Sequence, residues 1–91
     1  MSRMRRTNIN AVLRMVKQFL TGKMDATSFW LDFPDEVTQR YEGMCREDPE
    51  YAEMILYYLV ECGTDRFQGL SDDDFRDLIQ AQYDNVTEGV Y

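Results

Sequence analysis

Residues 7–22 read TNINAVLRMVKQFLTG, and their pattern decides the fold class. Ile9, Val12, Leu13, Val16, Phe19 and Leu20 fall at i, i+3, i+4, i+7, i+10 and i+11. A 3.6-residue turn brings those positions onto one face, which is the stripe of an amphipathic helix. Thr7 or Asn8 stands where a side chain caps the first turn. Gly22 stands where a helix stops in a left-handed conformation.

The same signals recur outward from this stretch. Asp25 caps a second helix over Ala26–Phe33, whose Phe29, Trp30 and Phe33 supply much of an aromatic core. Pro34 fits the first turn of a third helix, with Asp35 and Glu36 near its positive end. Val37, Tyr41, Met44 and Cys45 continue the apolar stripe, although Gly43 weakens it by about 1 kcal/mol relative to alanine. Asp48-Pro49-Glu50 is a start signal for a helix over Pro49–Cys62 that is apolar nearly all round and therefore expected at the centre. Gly63 ends it, and Thr64–Leu70 reads as a loop with Phe67 and Leu70 tucked inward. Ser71 caps a last helix with Asp72, Asp73 and Asp74 in its first turn. Phe75, Leu78, Ile79, Gln82, Tyr83 and Val86 form its buried face, and Thr87–Tyr91 is expected to fray. The expected fold is all-α, a compact bundle of four to five short helices. A flexible basic tail at 1–6 precedes this single domain at 7–91.

The formal charge of −7 is unevenly spread. Residues 1–23 carry six bases (Arg3, Arg5, Arg6, Arg14, Lys17, Lys23) and no acid; residues 24–91 carry four bases against 17 acids, or −13. Such a body repels nucleic acid and speeds association with a basic protein partner. Arg3, Arg5 and Arg6 with Arg14 and Lys17 are the nucleic-acid candidate, opposed by the rest of the chain.

Several function classes fall away. The chain has no histidine, and with it goes the commonest general base and metal ligand. No glycine-rich phosphate loop, nucleophile elbow or zinc-type cysteine spacing is present, so the expectation is a non-enzymatic protein without cofactor or metal. Cys45 and Cys62 read as two buried thiols of a reducing compartment rather than a disulfide. Arg14 and Lys17 break the stretch Val12–Leu20, as no signal peptide would, and the uncharged run Met54–Val60 is far short of a membrane span. The cytoplasm is the expected location.

The candidate partner-binding residues are Tyr57, Tyr58, Glu61, Asp65, Asp72, Asp73 and Asp74. Tyrosine joins apolar area to a hydroxyl and is enriched at binding hot spots, although core packing is the favoured reading of both rings. The three aspartates stabilise a helix N-terminus whether or not they also meet a basic surface.

Two stretches carry a resemblance. Val16-Lys17-Gln18-Phe19-Leu20-Thr21-Gly22-Lys23-Met24-Asp25-Ala26-Thr27-Ser28-Phe29 and Gly69-Leu70-Ser71-Asp72-Asp73-Asp74-Phe75-Arg76-Asp77-Leu78 are similar to segments of the colicin D-type bacteriocin immunity proteins. Together they cover about a quarter of the chain; Met24 and Phe75 depart from the family's pattern, which also lacks the basic tail. The resemblance implies an acidic face that occludes the basic active cleft of a toxin nuclease, carboxylates standing in for substrate phosphates. Asp72, Asp73, Asp74, Glu61 and Asp65 would be its nearest counterparts by position. Two other readings stay open: a phage-type nucleic-acid mimic that inhibits a host enzyme, and a regulatory or scaffolding subunit whose basic N-terminus contacts nucleic acid.

Overall fold

The stripe in residues 7–22 forms helix α1 (Thr7–Leu20) in the computed structural model, which describes residues 6–88. Ile9, Val12, Val16 and Phe19 are its buried positions. Three more helices follow: α2 (Ala26–Glu47), α3 (Pro49–Met54, running on as a π-helix over Ile55–Glu61) and α4 (Asp72–Glu88). A single 3-10 turn, Thr64–Arg66, lies between α3 and α4. No strand occurs among the described residues, and the architecture is an all-α bundle. Of the expected tail only Arg6 is described; its guanidinium lies 4.4 Å over the Tyr51 ring and 3.9 Å from Asp48.

Neither Thr7 nor Asn8 caps α1 with its own side chain. Arg6 occupies the cap position without a side-chain bond. The last turn of α2 does the work instead: Glu47 accepts the backbone N–H of Asn8 at 2.8 Å and that of Ile9 at 2.9 Å. A carboxylate there answers two orphan amides and the positive end of the helix together. Asn8 donates its side-chain amide to Glu47 at 2.9 Å, and its carbonyl accepts from Arg40, also at 2.9 Å. Arg40 in turn pairs with Glu36.

That crossing explains Gly43. A Cβ at this position would stand 2.3 Å from Nδ2 of Asn8, so the glycine that weakens α2 locally is what leaves room for the Asn8 side chain between Glu47 and Arg40. Gly22 takes φ +85° in the turn after α1, and Asp25 caps α2 by accepting from the Ser28 amide at 3.3 Å.

Pro34 does not begin a helix. α2 runs straight through it, so the expected break between a second and third helix is absent. Proline forgoes the amide bond to the Trp30 carbonyl. The packing outweighs that loss, because Phe29, Phe33, Val37 and Met44 stay buried along one continuous face only if the helix persists. Phe19 stacks on Phe29 with centroids 4.6 Å apart, and Phe29 on Phe33 at 4.8 Å. Phe75 of α4 closes this column against Phe19 at 5.3 Å.

The expected α-helix over Pro49–Cys62 is α-helical only to Met54. Asp48 caps it through the Tyr51 amide as its sequence indicates. Beyond Met54 the winding widens, so that the Cys62 N–H reaches the Tyr57 carbonyl, five residues back, at 2.9 Å. The wider turn puts Ile55, Leu59 and Val60 (i, i+4, i+5) on the buried side and leaves Tyr57 and Glu61 outside. The segment has α2, α4 and the 3-10 turn as neighbours, as expected of a helix apolar nearly all round, and of its apolar residues only Tyr57 is exposed.

In the connection to α4, Phe67 packs inward against Phe75 at 4.7 Å, but Leu70 is 36% exposed, contrary to expectation. Ser71 caps α4 through the Asp74 amide at 3.1 Å. Thr87 and Glu88 belong to that helix, and residues 89–91 of the expected frayed end lie outside the described ones. Arg76 reaches back to α1, its Nε 3.4 Å from the Phe19 carbonyl and its guanidinium 4.9 Å over the Phe19 ring. No helix among the described residues is long and apolar enough to cross a membrane.

Two measurements check this frame. Partial burial raises the pKa of Glu47, but hydrogen bonds from Asn8 and Ile9 and the Arg6 charge outweigh it and hold the carboxyl below its ordinary 4.5. A depressed folded pKa gives stability that is present above the unfolded value and lost as pH falls through the folded one. Glu47→Gln should therefore lower stability by about 1 kcal/mol at pH 7. In urea titrations the gap should shrink below about pH 4.5 and close in stronger acid. Pro34→Ala should restore the missing amide bond and raise the unfolding free energy by up to about 3 kcal/mol; a loss of stability would show that the proline ring is needed in place.

Candidate functional site

The seven candidate residues fall on three successive elements. Tyr57, Tyr58 and Glu61 lie on the π-helix, Asp65 on the 3-10 turn, and Asp72, Asp73 and Asp74 open α4. Tyr57 is 52% exposed and meets the Tyr58 ring edge-on at 5.0 Å, while Tyr58 is half-buried and packs against the core. The two tyrosines thus divide the roles open to them, one outward and one structural. The Tyr57 hydroxyl titrates above its ordinary value, chiefly through its side-chain interaction with the Cys62 thiol, with Tyr58 and Glu61 adding to it. Those four side chains form one neighbourhood, and Glu61 and Asp65 are exposed within or beside it.

The aspartates do not share a single face. Successive residues on an α-helix point about 100° apart. Asp73 is almost wholly exposed and pairs at 3.7 Å with Arg76, the residue that reaches the Phe19 carbonyl. Asp74 lines a groove of about 530 Å³ between the end of the π-helix, the following loop and α4. Cys62 and Arg66 line the opposite wall, and Leu70, Leu78 and Gln82 complete it. Asp72 is exposed at the helix tip.

The groove corrects two expectations about α4. Leu78 and Gln82, placed in the buried face by the sequence, are half-buried and line the groove with Asp74 at i, i+4 and i+8. Leu70, expected inside, forms its rim. Arg66 adds a cation that no charge count singles out, because the spacing of loop residues carries no facing information. The i, i+4, i+8 series was present in the sequence, but it reads equally well as a core face. Cys45 and Cys62 are both free and half-buried. Among the described residues no three His, Cys, Asp or Glu side chains are grouped to hold a metal ion.

No protein-family model matches the chain, and no curated protein or solved structure is significantly similar to it. The fold class therefore stands on the helices themselves and the site on its geometry.

If Leu78 belongs to the groove and Phe75 to the core, truncation should separate them. Phe75→Ala should cost about 3–5 kcal/mol by denaturant titration, and Leu78→Ala no more than about 1 kcal/mol, since an open groove gains no enclosed cavity. Equal costs would put Leu78 back in the core.

Proposed function

We propose that this is a non-catalytic binding protein that docks a basic protein partner on the surface formed by the π-helix, the 3-10 turn and the start of α4. The observation that carries the reading is Tyr57, a large ring 52% exposed, braced edge-on by Tyr58 and set beside the exposed carboxylate of Glu61, with the exposed Asp65 on the turn that follows. A rigid aromatic flanked by acids suits a surface rich in arginine and lysine, the ring giving contact area and the acids long-range attraction. Asp72 and Asp74 extend the acidic side of this surface.

Within that class the reading is an immunity or inhibitor protein that occludes the basic active cleft of a toxin nuclease. The excess of 17 acids over four bases in residues 24–91 supports it, because a phosphate-binding cleft recognises carboxylates by the same electrostatics. Two unjoined thiols agree with a cytoplasmic setting.

The test is capture of partners from the source cell at low salt, released along a salt ramp. A captured protein with a basic active cleft, eluting early in the ramp and lost with Asp72→Lys/Asp74→Lys or Tyr57→Ala, is the expected result. Retention of the partner by all these variants, or no partner at any salt, would overturn it.

A further inference from the structure

A second groove, remote in charge from the first, lies between α1 and α4. Its volume is about 280 Å³, and it is lined by Asn10, Leu13, Arg14 and Lys17 of α1 and Tyr83 of α4. Positions 10, 13, 14 and 17 fall at i, i+3, i+4 and i+7, one face of a helix, so the amide and both cations point to the same side. Arg14 and Lys17 are exposed, and among the described residues neither has a carboxylate within 4 Å. Lys23 and Arg66 share that state, while Arg6, Arg40, Arg46 and Arg76 pair with acids; what sets Arg14 and Lys17 apart is that both line one groove. Two unneutralised cations beside an apolar wall and a phenol ring make a site of one kind: charge at one side, flat apolar contact at the other.

We infer that this groove binds a small phosphate monoester, with Arg14, Lys17 and Asn10 on the phosphate and the organic part against Leu13 and Tyr83. A doubly charged phosphate matches two cations and an amide donor, whereas a single carboxylate would leave one cation unmet. The size is that of a small ligand rather than a macromolecule, at the low end of ligand pockets. The ligand's small size also fits the charge balance. A polyanion would have to run past the −13 of residues 24–91. A compact ligand feels mainly what lies within a Debye length, about 10 Å at 0.1 M salt.

The experiment is an amide-shift titration of the full chain with phenyl phosphate, adenosine monophosphate and inorganic phosphate at 50–100 mM salt, on the order of the conditions that leave such contacts unscreened. Expected are saturable shifts at α1 and α4 for the two esters, weaker ones for inorganic phosphate, and a loss of at least about tenfold in affinity with Arg14→Gln/Lys17→Gln. Lys23→Gln, outside the groove, should leave ester binding unchanged, and both variants should keep the wild-type melting temperature because the altered side chains are exposed. The inference is overturned by unsaturated shifts for both esters, by ester binding that survives Arg14→Gln/Lys17→Gln, or by an equal loss with Lys23→Gln. Inorganic phosphate binding as tightly as the esters would also overturn the role of Leu13 and Tyr83. A single-stranded oligonucleotide binding orders of magnitude more tightly through the same residues would overturn the small-ligand reading.

Discussion

Helix α1 is held at its two ends by opposite charges from two other helices, and most of the bundle follows from that clamp. Glu47, from the end of α2, takes the free amides of the first turn; Arg76, from α4, reaches a carbonyl of the last. Each charge has the sign that the helix dipole favours. Beside the clamp, Gly43 leaves room for the Asn8 side chain that Glu47 also holds. Between the two ends, the phenylalanine column of Phe19, Phe29, Phe33 and Phe75 fills the space that the clamp defines.

Local signals were legible where a residue acts on its own neighbours. Asp25, Asp48 and Ser71 cap the helices they precede in sequence, and Gly22 adopts the conformation its position calls for. The misreadings share a cause: each concerns a residue whose partner lies far along the chain. Thr7 and Asn8 looked like caps because the true cap is 39 residues away at Glu47. Pro34 looked like a beginning because local propensity favours one, and only the aromatic packing of α2 shows why the helix continues. Gly43 looked like a weakness until its neighbour Asn8 was in view.

The site divides along the same line. The tyrosine pair and the acids near it were readable as candidates, but the sequence favours core packing for both rings, and only the winding of the π-helix turns Tyr57 outward. That Asp73 and Asp74 serve different surfaces follows from helix geometry, but which surfaces could not be read without knowing what α4 packs against. The groove behind Asp74 owes its shape to Arg66 and Leu70, residues of a loop whose path no periodicity encodes. The groove between α1 and α4 likewise exists only because Tyr83 comes to lie beside Arg14 and Lys17.

The π-winding of residues 55–61 bears on how this chain tolerates changes of length. Insertions and deletions normally accumulate in loops, where backbone bonds are few. A helix wound from five residues back instead of four already holds slack within its own ladder, as the bond from Cys62 to Tyr57 shows. The flanking anchors, Asp48 at the start and the core contacts of Leu59 and Val60 near the end, are fixed by other elements, so the slack is confined between them. An alignment of this chain with a shorter-wound counterpart would therefore place its gap inside a helix, beside the exposed tyrosine, and not in the loop that follows.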